Sequence, residues 1–157
     1  MSKTIGGGSP GDHAAFDALP EWPQRTVAVL ATVDEGRPHA IPVSAPVRAG
    51  GRRILLGLHR DRGSLARLRE DPRVAVLVLT ERDTAFTAHG RARVIADPLA
   101  GAPDYVAVEI AVDAVDDHRQ AAFRVTGGVD RSWLDEGEQR ALGARVGELR
   151  KLAGEKS

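Results

Sequence analysis

The chain has 157 residues, no Cys, 42% apolar and 28% charged residues, and 22 basic against 22 acidic side chains. These values describe one ordinary globular domain. The lack of Cys excludes disulfide scaffolds, zinc ribbons, thiolate iron–sulfur sites and cysteine nucleophiles, and a formal net charge of zero leaves no global field for nucleic acid or an anionic membrane.

The longest unbroken apolar stretch, Val74 to Leu79, falls far short of the ~20 residues a membrane span needs. The amino terminus shows no charged-then-apolar signal pattern, so the expected location is the cytoplasm. Residues 1–11, with Gly6-Gly7-Gly8-Ser9-Pro10, have no periodicity and read as a flexible arm; residues 12–157 read as a single domain.

Asp12 is placed to cap a short helix through Leu19, with Ala15, Phe16 and Leu19 at helical spacing and Pro20 and Pro23 ending it. Trp22 reads as a core or interface anchor. From Thr26 the chain alternates β-type runs with turn signals: Thr26 to Val33, Pro38 to Val47 and Arg53 to His59. Gly36 suits the left-handed position of a three- to five-residue hairpin loop, and Gly50-Gly51 suits a two-residue one. Both faces of Thr26 to Val33 are apolar, which predicts a strand covered on both sides. Pro42 and Pro46 remove ladder donors from the second run, which predicts an edge or an interruption there.

The polar turn His59 to Ser64 leads into a short helix carrying Leu65 and Leu68 on one face, capped by Asp61 or Ser64 and stopped at Asp71-Pro72. Arg67, Arg69 and Glu70 are expected to face water. Three more strands follow: Arg73 to Thr80, Phe86 to Ile95 and Tyr105 to Val115. Gly127-Gly128 reads as a turn, and Ser132-x-x-Asp135 opens a terminal helix with Leu142, Val146 and Leu149 at helical spacing. The sum is a mainly β fold with α additions: six antiparallel strands in a Greek-key barrel, a short inserted helix and a C-terminal helix.

Chemistry is sparse. The five histidines lie on five separate elements with no i, i+4 pair, so no metal site is predicted. No G-x-S-x-G turn, Walker loop or Rossmann glycine fingerprint is present. The acidic pairs Asp34-Glu35 and Asp116-Asp117 lie in turn-like polar surroundings that keep carboxylates ionised. The strongest feature is cationic: Arg52, Arg53, Arg60, Arg62, Arg67, Arg69 and Arg73 surround the start of the short helix, offset by Asp61, Glu70 and Asp71. A turn entering a helix offers backbone N–H groups and a positive dipole end. Arg60, Arg62 and Ser64 there point to an anion site, with phosphate the obvious ligand.

The series T-V-A-V-L-A-T-V-D-E-G-R-P-H-A-I-P-V, then R-I-L-L-G-L-H-R-D-R-G-S-L-A-R-L-R-E-D-P-R-V-A-V-L-V, then F-T-A-H-G-R-A-R-V resembles the pyridoxamine phosphate oxidase-like split β-barrel superfamily, in its flavin- and deazaflavin-dependent oxidoreductase branch. The resemblance spans Thr26 to Val115. It implies a homodimer with FMN, or the deazaflavin coenzyme F-420, at the subunit interface, transferring hydride to or from a small conjugated substrate. Carried across, Ile41, Pro42, Val43 and Ser44 would flank the cofactor ring. Leu58, His59, Arg60, Arg62, Gly63 and Ser64 would cradle the ribityl chain and phosphate, and His89 would approach the pocket.

The pattern departs at Arg62, Gly63 and Ser64, where the family carries Ser or Thr, a basic residue and Lys. Ile41 and Pro46 stand where the oxidase has basic residues, so oxidase activity itself is not implied. Arg67, Arg69 and Arg73 form a surface that would attract the acidic tail of a deazaflavin. Two other readings stay open: a non-catalytic flavin or haem carrier, and a cofactor-free binding barrel.

Overall fold

The computed structural model describes residues 14–155, so the arm and the expected helix start at Asp12 lie outside the described residues. Strands β1 (Val27–Asp34), β2 (Arg37–Ser44), β3 (Val47–Arg48), β4 (Arg53–His59), β5 (Arg73–Thr80), β6 (Thr84–Ala96) and β7 (Tyr105–Asp117) form one sheet. Helix α1 (Gly63–Glu70) joins β4 to β5, and α2 (Glu136–Leu152) ends the fold. The sheet order is β2-β1-β5-β6-β7-β4-β3, antiparallel throughout. Consecutive hairpins β5, β6 and β7 with β4 returning beside β7 make the Greek key.

β2 and β3 lie at opposite edges of this sheet, yet only Ala45 and Pro46 separate them in the chain. Two linking residues span roughly 10 Å, so the sheet must curl until its edges meet, which is a split barrel. The expected second strand therefore divides, giving seven strands instead of six. The cause is local: Ala45 has φ of 52°, a conformation uncommon outside glycine, and Pro46 has no N–H to give the ladder. The crossing is held by Ala45 N–H donating to Thr26 O at 2.9 Å and Trp22 Nε1 donating to Pro46 O at 2.8 Å.

Inside the barrel, Leu30, Val76, Val78, Phe86, Val108 and Ile110 form the main core, and Leu65 and Leu68 of α1 plug one end of it. A second, smaller core lies outside: Val47, Leu55, Leu99 and Ala107 pack under Val146 and Leu149 of α2. β4 is thus covered on both faces, which is why Ile54, Leu55 and Leu56 form a continuous apolar run. Helix α2 depends on this contact. Its Gly137, Gly143 and Gly147 each cost ~0.5–1 kcal/mol relative to Ala, whereas burying Val146 and Leu149 contributes ~1.5–3 kcal/mol apiece.

Several local expectations are corrected. Residues 14–19 form no helix: Ala15 is bridged to Asp116, Phe16 N–H donates to Val115 O at 2.9 Å, and the chain then bends at Asp17 and Ala18. The reason is that β4 pairs with β7 only as far as Ala111, and the open edge beyond it takes this segment in place of a helix. The first hairpin pairs Asp34 with Arg37, so its loop is just Glu35-Gly36, both at positive φ. The second loop is Gly50-Gly51-Arg52, closed by Ala49 N–H on Arg53 O. Neither Asp61 nor Ser64 caps α1; Arg62 occupies the N-cap without a side-chain bond. Asp135 itself caps α2, accepting from the N–H groups of Gly137 and Glu138. Gly127-Gly128 is no turn: the chain passes so close to β5 that a Cβ on Gly128 would sit 2.5 Å from Leu79 O.

Candidate functional site

A cavity of about 130 Å³ opens where β2 leaves the sheet, β4 ends and α1 begins. One wall is the end of β2, Ile41 to Ser44, with Ala45. A second is Gly57, Leu58 and His59 of β4, with Arg62 just before α1. Tyr105, the first residue of β7, and Leu142, Arg145, Val146 and Leu149 of α2 close the third.

The charge of this lining is one-sided. Arg62 and Arg145 face it, no Asp or Glu lines it, and neither arginine joins any ion pair formed among the described residues. Arg145 lies over the Tyr105 ring, its guanidinium carbon 4.0 Å from the centroid. On the same ring His59 packs edge-on at 5.1 Å between centroids. His59 Nδ1 accepts the Asp61 N–H at 3.1 Å, which places the proton of the neutral ring on Nε2. Two guanidinium forks and a ring N–H around a carboxylate-free hollow can hold an anion bearing several oxygens.

Of the residues singled out in the sequence, Ile41, Pro42, Val43, Ser44, Leu58, His59 and Arg62 come together at this cavity. Four do not line it. Arg60 turns away, donating from Nη2 to Asp97 Oδ1 at 2.6 Å and to Pro103 O at 3.2 Å. That bond, with the charge of Arg60, draws the Asp97 carboxyl below its ordinary range. Gly63 and Ser64 lie beneath Arg67, whose Nη1 would be 2.9 Å from a Cβ on Gly63. His89 lies on the outer face of β6, where Nε2 meets Asp116 Oδ2 at 2.8 Å.

Of the two arginines expected to face water on α1, Arg69 is exposed and Arg67 is not. Arg67 is half-buried and donates from Nε to the hydroxyl of the buried Thr32 at 3.2 Å. Arg69 reaches Asp97 at 3.6 Å, and Arg73 forks onto Asp71, holding that carboxyl at about 2 through two kinds of hydrogen bond. Tyr105 and Arg145 were missed by motif reasoning. Arg145 does leave a signal, because Leu142, Arg145, Val146 and Leu149 follow the i, i+3, i+4, i+7 spacing of a buried stripe that should hold no charge.

Comparison with known proteins fits this architecture. The model of the pyridoxamine 5'-phosphate oxidase family matches residues 14–127, and the chain belongs to that family. An F420 reductase has a similar fold, with a TM-score of 0.53 and 16% identity over 60% of this chain and 92% of that one. General stress protein 26 of Bacillus anthracis gives 0.50 and 19%, over 58% of this chain and 82% of that one. A Clostridium acetobutylicum protein related to general stress protein 26, of the pyridoxinephosphate oxidase family, gives 0.51 and 13%, over 60% and 80%. No curated protein matches the chain. No helix among the described residues is long and apolar enough to cross a membrane.

Proposed function

We propose that this protein is a cytoplasmic homodimeric oxidoreductase that holds FMN or the deazaflavin coenzyme F-420 in the cavity between β2, β4 and α2. The hydride would pass between that cofactor and a small conjugated organic substrate. The observation that carries the reading is the acid-free cavity lined by Arg62, in the turn that the family resemblance implies for the ribityl phosphate, and by Arg145 of α2, neither of them in an ion pair formed among the described residues. The similar fold of an F420 reductase supports the deazaflavin arm, and the family itself supports the FMN arm.

The residues present fit such a group. Arg62 and Arg145 supply forked donors for a phosphate, and Leu142, Val146 and Leu149 exclude water from one side. As an edge strand, β2 keeps alternate backbone groups off the ladder, free to meet the polar edge of a ring beside Ile41 to Ser44. When bound, the cofactor ring supplies the hydride chemistry, and the protein binds, orients and excludes solvent.

The cavity is smaller than the ~300–1,000 Å³ of most small-molecule sites, so the rest of the ligand must extend over the exposed Pro42 and Ser44. From there an apolar row crosses three strands, Pro42 opposite Val29 and Val29 opposite Leu77, with Val29 37% and Leu79 45% exposed. A second copy covering this face would bury the row and complete the site, which supports the dimer.

Titrating the purified protein with FMN and with F-420 while following ligand fluorescence tests the reading. Saturable binding of either at low micromolar concentration is expected, and failure of both to bind overturns it.

A further inference from the structure

Beyond the cavity, the irregular connection 118–135 carries an arginine and a tryptophan that the proposed cofactor site does not use. The connection is pinned to the barrel: Val125 N–H donates to Asp83 Oδ1 at 2.9 Å, Asp83 N–H donates to Val125 O at 2.9 Å, and Gly128 lies against the backbone of Leu79. It thereby delivers Arg131 to Ser44, 87 residues away in sequence, with Arg131 Nη1 donating to Ser44 Oγ at 2.7 Å. The same guanidinium stacks 4.9 Å from the centre of the Trp133 ring.

Arg131 and Trp133 line a second cleft, which shares walls at Ala45 and Leu142 with the first. No carboxylate lines it, and Arg131 joins no ion pair formed among the described residues. The guanidinium is held in place by a hydroxyl and an indole, which leaves its other N–H donors for a ligand. Trp133 stays 38% exposed, presenting a flat apolar surface beside that charge. On the opposite wall Gly143 of α2 leaves space, since a Cβ built there meets nothing within 4 Å.

We infer that this second cleft binds a planar aromatic carboxylate, with Arg131 on the carboxylate and the flat ring against Trp133 and the helix at Gly143. A guanidinium fork matches a carboxylate, and an indole face matches a conjugated ring. Its role as the substrate subsite rests on the cofactor reading, because Ser44 is shared between the proposed ring position and the Arg131 anchor. The binding itself does not rest on it.

The test is calorimetric titration of the full chain, without cofactor, using 2-naphthoate and its uncharged methyl ester as probes. Saturable binding of 2-naphthoate is expected, with the ester at least about tenfold weaker. Arg131→Ala should weaken 2-naphthoate by about tenfold as well, while Arg62→Ala leaves it within about twofold. Gly143→Leu should abolish binding through the filled space without lowering the thermal midpoint, since leucine favours the helix over glycine. Equal affinity for acid and ester, loss of binding in Arg62→Ala but not Arg131→Ala, or no binding of 2-naphthoate at all would overturn the assignment. FMN or F-420 binding without 2-naphthoate binding refutes only this site, and the reverse pattern refutes only the cofactor reading.

Discussion

Arg145 lays its guanidinium over the ring of Tyr105, 4.0 Å from the centroid, so a helix at the end of the chain and the first residue of β7 build one wall of the cavity together. The stack fixes the direction of a charge that no carboxylate claims, and a cation over an aromatic face contributes ~0.5–2 kcal/mol of orientation. Replacing Arg145 with Ala should therefore weaken the tighter-binding cofactor by about tenfold or more, and loss of the stack should lower the thermal midpoint by roughly 1–8 °C. Arg145→Lys should recover only part of the loss, because an ammonium lacks the planar fork. Unchanged affinity in Arg145→Ala, read by ligand-fluorescence quenching, would remove this residue from the site.

Arg60 and Arg62 look equivalent in the sequence, and the structure separates them. Arg60 is spent on Asp97 and Pro103 O, whereas Arg62 faces the cavity. Cofactor affinity should stay within about twofold in Arg60→Ala and fall by about tenfold in Arg62→Ala. The reverse order in the same titration would place the anion on the Asp97 side of the turn.

Glu109 is buried on the outer face of β7, with Oε2 accepting from Arg53 Nε at 2.8 Å and Oε1 from Arg93 Nε at 2.9 Å. Burial alone would raise its pKa, but the two guanidinium groups outweigh it and leave the carboxyl below its ordinary 4.5. A depressed carboxyl stabilises the fold fully above the unfolded value, and that contribution is lost as pH falls through the lower folded value. Glu109→Gln should cost about 2 kcal/mol at pH 7, and its urea midpoint should change less than wild type's as pH drops from 4.5. Parallel curves for the two proteins below that pH would show that Glu109 is not the group responsible.

Gly90 sits at a register shift between β6 and β7, where a Cβ would come 2.1 Å from Ala111 O. Backbone cannot yield there without breaking the ladder, so Gly90→Ala should destabilise by roughly 3 kcal/mol or more. A denaturant midpoint equal to wild type would mean that the bulge relaxes instead.

Val29 lies mid-row on the apolar outer face, paired across to Pro42 and Leu77. In the proposed dimer, an aspartate there would be buried unpaired between the two copies. Val29→Asp should sediment as a monomer at concentrations where wild type is a dimer, with its thermal midpoint little changed. A wild-type monomer at those concentrations would refute the dimer directly.

Much of the barrel was legible along the chain because strand burial has a period of two and turns need particular residues. β4 and β5 match their expected limits at both ends, since apolar runs bounded by Gly50-Gly51, His59, Pro72 and Thr80 leave few alternatives. The doubled strand β2–β3 was foreshadowed by Pro42 and Pro46, which cannot donate to a ladder. The capture of residues 14–16 by β7 was not, because their helical spacing is a local property and the open edge of β7 that captured them is a distant one.

The same division holds for the site. Ile41 to Ser44, Leu58, His59 and Arg62 come together from elements whose order in the chain already places them near one turn. Which arginine faces the cavity unpaired was decided only in three dimensions: Asp97 pairs with Arg60 and Arg69, Asp71 pairs with Arg73, and the hydroxyls of Thr32 and Ser64 hold Arg67 away from the cavity lining. Arg145 reaches the cavity because α2 folds back over β4, and the burial of Val146 and Leu149 that drives this depends on what the sheet presents to the helix. Sequence alone determined the kind of residues available. Their partners, and so their remaining chemistry, were set by tertiary packing, since ion pairing and desolvation depend on distances between groups far apart in the chain.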